Sequence, residues 1–220
     1  MAKIFIVIPA FNEEPVIRDV ITKVKKEGYS NIIVVDDGSP DSTSAQAKKT
    51  EAIVLRHILN RGKGAAIKTG MEAAKIMGAD IVVTFDGDGQ HDPKDIKKVI
   101  QLLGKGDSIV LGVRSFDKVP TFRRLANLLG NSFTWMIYGM SVKDSQCGLR
   151  GFSKSALDVI DTQNDRYEYD SEVIREIYKN KLKYSEVPIK VYYTKYSQQK
   201  KMRQGFANGI KTLYRMIISA

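Results

Sequence analysis

Five apolar runs lie within the first 114 residues, and each gives way to polar residues before a helical pattern begins. They are KIFIVIP (3–9), NIIVVDDGS (31–39), AIVLRH (52–57), DIVVTFD (80–86) and SIVLGVR (108–114). Their apolar stretches do not alternate with polar residues, which is the pattern of strands covered on both faces. Between them, Ile17, Val20, Ile21 and Val24 recur at helical spacing, a short helix is expected over 42–49, and glycines open a helix over 62–78. A further helix over 93–105 has Pro93 near its start, and Asn12 is expected to cap the first helix. Such alternation specifies an α/β fold, a mainly parallel sheet with helices on both faces.

The second half is less regular. The stretch 121–140 is apolar and aromatic, DSQCGLRGF (144–152) reads as a turn feeding a short strand, 168–181 as a helix and 183–193 as a strand. A chain of 220 residues suffices for one domain, and residues 1–204 are assigned to it, with 205–220 as a C-terminal helical appendage. The single cysteine, Cys147, has no internal partner and reads as a small buried residue of a reducing compartment. The apolar run 4–8 is too short for a signal-peptide core, and nothing approaches the roughly 18 residues of a membrane span. A cytoplasmic protein is expected.

In open α/β sheets the ligand crevice lies beyond the carboxyl ends of the strands. Those ends carry Pro9 to Glu13, Asp36-Asp37-Gly38-Ser39, Asp86 to His91, and Arg114. An acidic turn after one strand is common; polar clusters at four strand ends point to a site. Asp86-Gly87-Asp88 places two carboxylates around a residue that lets the backbone come close, a pattern suited to Mg²⁺ or Mn²⁺ that takes further ligands from phosphates. Gln90 adds an amide oxygen. His91 is either a ligand or a structural residue, and no second histidine beside it favours the former. Lys63, between two glycines at an expected helix start, is placed to hold an anion, although NRGKGAA is not the phosphate loop of ATPases. Arg61 and Arg114 are further phosphate candidates, and Asp37 a partner for a ribose or base.

VIPAFNEE, IIVVDDGSPDST, NRGKGAAIKTG, FDGDGQHDP and DSQCGLRGF, taken in order, resemble the family 2 glycosyltransferases of GT-A fold. The likeness is nearest to dolichyl-phosphate mannose synthases and bacterial polyprenyl-phosphate glycosyltransferases, and it runs over roughly residues 4–200. It implies an inverting transfer of a hexose from a GDP- or UDP-sugar, of the GDP-mannose or UDP-glucose type. It also implies a nucleoside pocket of Pro9, Phe11, Glu13, Val35 and Asp37, and a metal and diphosphate site of Asp86, Asp88 and Gln90. Arg114 would lie near the phosphates and Asp144 beside the sugar. Leu149 stands where the family has Phe. The late stretch YYTKYSQQKK is closer to the YS-x-x-K pattern of the bacterial relatives than to the arginine and GESK of mannose synthases.

The acceptor is read from the rest of the chain. Net charge is +10, and after Glu186 there are seven basic residues and no acidic one. A block of one sign suggests an anionic surface. In 206–220, Phe206, Ile210, Leu213 and Ile217 share one helical stripe opposite Asn208, Lys211 and Arg215. At about 22 Å this helix is too short to span a bilayer but suits its interface; the alternative is that it covers the domain's own core. A polyprenyl phosphate would use an apolar groove, for which 120–140 is the candidate, and cations, for which Arg123, Arg124 and Lys200 are candidates. Its phosphate is largely dianionic at neutral pH and needs no general base. The expected enzyme therefore works peripherally at the inner face of the cell membrane. A sugar or protein hydroxyl acceptor would instead require a base, with Asp144 as candidate. A nucleic-acid binder is the remote alternative, since no RNP, KH or helix-turn-helix pattern is present. The 120–140 stretch would equally suit a homodimer interface.

Overall fold

The structure is a computed structural model that describes residues 2–114, 142–166, 168–194 and 196–197. Arg123, Arg124, Lys200, the apolar stretch 120–140 and the tail 205–220 lie outside the described residues. The chain forms β1 (Ile4–Ala10), α1 (Ile17–Lys26), β2 (Ile32–Asp36), α2 (Thr43–Lys48), β3 (Ile53–Arg56), α3 (Lys63–Ile76), β4 (Ile81–Thr84), α4 (Asp95–Gly104), β5 (Ile109–Arg114), β6 (Arg150–Ser153), α5 (Lys154–Val159), α6 (Glu168–Lys179) and β7 (Tyr184–Ile189). All five apolar runs of the first half are strands.

One seven-stranded sheet has the order β3-β2-β1-β4-β6-β5-β7. Successive side chains of a strand point to opposite faces, and both faces here are apolar. Phe5 and Val7 of β1 pack with Ala66, Ile67 and Met71 of α3 and Val173 and Ile174 of α6. Ile6 and Ile8 pack on the other face with Ile17, Val20 and Ile21 of α1 and Ile96 and Val99 of α4. Each such fully buried side chain contributes roughly 1.5–3 kcal/mol. β3 is an edge strand, and Ile53 at its start is exposed.

Every pairing is parallel except those of β6, which runs antiparallel between β4 and β5, with Thr84 and Leu111 both opposite Arg150. The turn-then-strand reading of 144–152 holds, but its reversed direction has no local signature. The first helix starts later than expected. Asn12 is not its cap: it lies at φ 54°, and α1 begins at Ile17 after a turn in which Val16 and Ile17 N–H both donate to the Glu13 carbonyl. The short helix α5 was not anticipated, although Ser153 caps it in the ordinary way by accepting from Ala156 N–H at 3.3 Å.

Candidate active site

The order β2-β1-β4 puts the switch point of the sheet beside β1, and the carboxyl ends of these strands are stitched together there. Asp37 N–H donates to the Ala10 carbonyl at 2.8 Å, and Asn12 N–H to Ser39 Oγ at 3.0 Å. A Cβ at Gly87 would come to 3.0 Å from the Pro9 carbonyl, so the turn after β4 lies close against the end of β1. Pro9 and Val35 are register partners, and Val35 is wholly buried in the core that α3 covers. Phe11 is half-buried at the crevice edge, and Glu13 is buried.

Asp37 faces its own chain. Its Oδ1 is 2.7 Å from His57 Nδ1 and accepts from Arg61 N–H, while its Oδ2 accepts from Gly62 N–H at 2.7 Å. His57 Nε2 lies 3.0 Å from Thr69 Oγ1. Asp37 therefore fixes the loop 57–62 at the crevice wall, with His57 as a partner that the sequence reading missed. Arg61 turns away, its guanidinium 3.0 Å from Asp165.

The start of α3, expected to hold an anion, is partly occupied by the protein's own backbone. Ala65 N–H donates to the Asp165 carbonyl at 2.9 Å, so the segment before α6 covers that helix end. Lys63 instead reaches the rim with its side chain, where Nζ lies 2.8 Å from Asp86 Oδ1. His91 Nε2 lies 3.1 Å from Asp86 Oδ2, and the His91 ring packs edge-on against Phe85. Burial alone would lower the Lys63 ammonium, but Asp86 and Asp170 outweigh it and hold the group above its ordinary value. Burial likewise pushes the Asp86 carboxyl up, yet Lys63 and His91 hold it well below the usual carboxylate range. His91 is buried and meets Asp86 through Nε2, while its Nδ1 has no hydrogen-bond partner among the described residues.

Asp88 is half-buried and accepts from Gln90 through both the backbone N–H, at 3.0 Å, and the side-chain amide. Among the described residues no three His, Cys, Asp or Glu side chains gather into a metal cluster. The donor set of Asp86, Asp88 and Gln90 is all oxygen, which suits Mg²⁺ or Mn²⁺ completing its shell from a diphosphate and water.

Arg114 and Asp144 come together. Arg114 Nε and Nη2 donate to the two carboxylate oxygens of Asp144 at 2.6 and 2.7 Å, and Arg114 N–H adds a third bond at 3.1 Å. Burial opposes the guanidinium charge, but Asp144 raises its pKa further still. Beneath the rim lies a pair the sequence reading missed, Arg150 with Asp170 at 2.9 Å, both buried; Arg150 also donates to the Cys147 and Ser145 carbonyls. Burial, with Asp144 adding, pushes the Cys147 thiol up to about 12.

A strap from the end of β7 crosses the rim. Val191 bridges His91, and Tyr192 N–H donates to the Gln90 carbonyl at 2.7 Å. Tyr196 Oη then reaches Glu13 Oε2 and the Asn12 carbonyl at 2.8 and 2.7 Å. Its position in the YS-x-x-K stretch was the available signal.

With an acidic turn, basic partners and the β1 loop gathered at one switch point, comparison with known proteins decides the family. The family model described as "Glycosyl transferase family 2" matches residues 5–161. The chain belongs to that family. A relative from Methanococcus voltae, "UDP-N-acetylglucosamine--dolichyl-phosphate N-acetylglucosaminyltransferase", is 40% identical over 98% of this chain and 95% of its own length. An uncharacterized protein of Methanocaldococcus jannaschii is 46% identical over 98% of this chain and 91% of its own. Among solved structures, glucosyl-3-phosphoglycerate synthase from Mycobacterium tuberculosis, crystallised with Mn²⁺, UDP and phosphoglyceric acid, superposes with a TM-score of 0.72 at 19% identity. That match covers 98% of this chain and 78% of that one, and it shows the shared GT-A fold. This family 2 glycosyltransferase thus carries its Asp86-Gly87-Asp88 turn at the carboxyl end of β4. Among the described residues no helix is long and apolar enough to cross a membrane.

Proposed function

We propose that this enzyme transfers a sugar, with inversion, from a UDP-sugar to a polyprenyl phosphate, with a divalent cation on the donor diphosphate. The Arg114–Asp144 fork carries this reading. A carboxylate engaged by two charge-assisted bonds is a poor general base, and a phosphate acceptor needs none, because its oxygen is already anionic. The name of the Methanococcus voltae relative points the same way and favours an N-acetylglucosamine donor over the GDP-mannose or UDP-glucose first expected. The hydroxyl-acceptor alternative needs Asp144 free of Arg114.

In this reading the nucleoside lies between the β1 loop and the turn after β2, against Pro9, Phe11 and Glu13. Asp86, Asp88 and Gln90 would hold the ion. Bound there, the ion supplies positive charge to the leaving diphosphate. Arg114 orients the phosphates, and Asp144 fixes the guanidinium plane. Phosphate and sugar are brought into line, which lowers the barrier by pre-paid orientation. Arg123, Arg124 and Lys200, outside the described residues, are the proposed partners of the acceptor phosphate, and the basic segment 206–220 the proposed contact with an anionic membrane surface.

The test is calorimetric titration of UDP and of GDP, each with and without Mn²⁺, followed by transfer from UDP-N-acetylglucosamine to a polyprenyl phosphate. Mn²⁺-dependent binding of UDP and a lipid-linked product are expected. Binding of neither nucleotide, or transfer only to a hydroxyl acceptor, overturns the reading.

A further inference from the structure

Asp86 is held on three sides. Lys63 Nζ lies 2.8 Å from one oxygen and His91 Nε2 3.1 Å from the other. On the third side is the backbone of Gly148, where an added Cβ would lie 2.2 Å from both oxygens. The carboxylate is thus wedged in place with its charge already matched by an ammonium. Asp170 adds to the electrostatic stabilisation of the Lys63 ammonium, and Arg150 opposes it.

Affinity for a hard divalent ion rises with the number of uncompensated carboxylates in reach. With Lys63 on Asp86, the turn offers such an ion the charge of Asp88 alone. A nucleotide diphosphate changes both terms, because it brings anionic oxygens to the ion and offers the ammonium another partner.

Resting on the donor site proposed above, we infer that Lys63 is a resident cation that keeps Asp86 from the metal until a nucleotide diphosphate takes up its ammonium. Metal and nucleotide then bind as a linked pair, and the donor-free enzyme holds metal poorly. The linkage is reciprocal: whatever factor the nucleotide adds to metal affinity, the metal adds to nucleotide affinity.

The experiment is a titration of the purified full chain with Mn²⁺ alone, read by electron paramagnetic resonance of the free ion, then repeated with UDP. Lys63→Gln removes the resident charge and is expected to bind Mn²⁺ alone about tenfold tighter than the unaltered protein, with a smaller added effect of UDP. Lys63→Gln/Asp86→Asn removes both charges, and with Asp86 out of the metal's reach its affinity for Mn²⁺ alone stays within about twofold of the unaltered protein. A Lys63→Gln protein that binds no tighter, or a double variant that binds about tenfold more weakly than the unaltered protein, overturns the inference. Should Lys63→Gln alone fail to fold, the double variant decides. The donor reading fails separately: it falls if the unaltered protein does not bind UDP with Mn²⁺, whereas the inference alone falls if it does and the variants behave otherwise.

Discussion

Tyr196 donates a hydrogen bond across the rim to Glu13, 183 residues earlier in the chain, at 2.8 Å. Burial and the Glu13 carboxylate both favour the neutral phenol and raise its pKa. The bond ties the strap after β7 to the loop after β1, on the side where the nucleoside is proposed to lie. Tyr196→Phe keeps the ring and removes the tie. A rise of about tenfold in KM for the donor, with kcat changed less, is expected from steady-state kinetics.

Arg114 and Asp144 form a planar, two-pronged pair that a lysine cannot reproduce. Arg114→Lys keeps the charge but should lose about 10²-fold in kcat/KM, as expected for a misplaced phosphate ligand. Asp144→Asn should lose activity through the same misplacement, with no change in the pH profile. A lost acidic limb in the Asp144→Asn profile would instead make Asp144 a base.

The Lys63–Asp86 pair predicts a pH dependence of stability. Asp86 has a folded pKa below its unfolded value, so its contribution is present above about pH 4 and is lost as pH falls through the folded value. Lys63 is shifted upward, so its contribution is complete below about pH 10 and is lost as pH rises through its folded value. Urea unfolding from pH 3 to 7 should show an acid loss that Asp86→Asn reduces.

Arg150 and Asp170 pair where solvent does not reach. Removing one partner leaves the other charged and buried, so Asp170→Asn should cost about 3–5 kcal/mol in denaturant unfolding. A cost near zero would mean that the Cys147 and Ser145 carbonyls alone satisfy Arg150.

Cys147 is buried, and its thiol is pushed up to about 12. Since thiolate is the reactive form, the native protein should resist a thiol-specific disulfide reagent at pH 8 and react only after unfolding.

The parallel half of the sheet was legible because a strand buried on both faces must be apolar throughout, as Ile4–Ile8 and Ile32–Val35 are. The rim was legible for a related reason: Asp36, Asp86 and Arg114 interrupt those runs at the carboxyl ends. What stayed hidden depends on partners far apart in sequence. Asp37 reads as an open carboxylate until His57, Arg61 and Gly62 are seen around it. Arg150 carries no signal in the sequence of its burial against Asp170 of α6. The start of α3 reads as an anion site until the carbonyl of Asp165 covers it. Asn12 has the chemistry of a cap, and its left-handed backbone serves a turn instead.

β5 delivers the chain to the rim at Arg114, and the antiparallel β6 takes it back from the rim at Arg150. Whatever lies between those residues leaves and re-enters the sheet on the side of the chemistry, next to the Arg114–Asp144 fork. The pairing of β4, β6 and β5 places no condition on how long that excursion is. Its length and sequence can therefore change while Thr84, Arg150 and Leu111 stay in register.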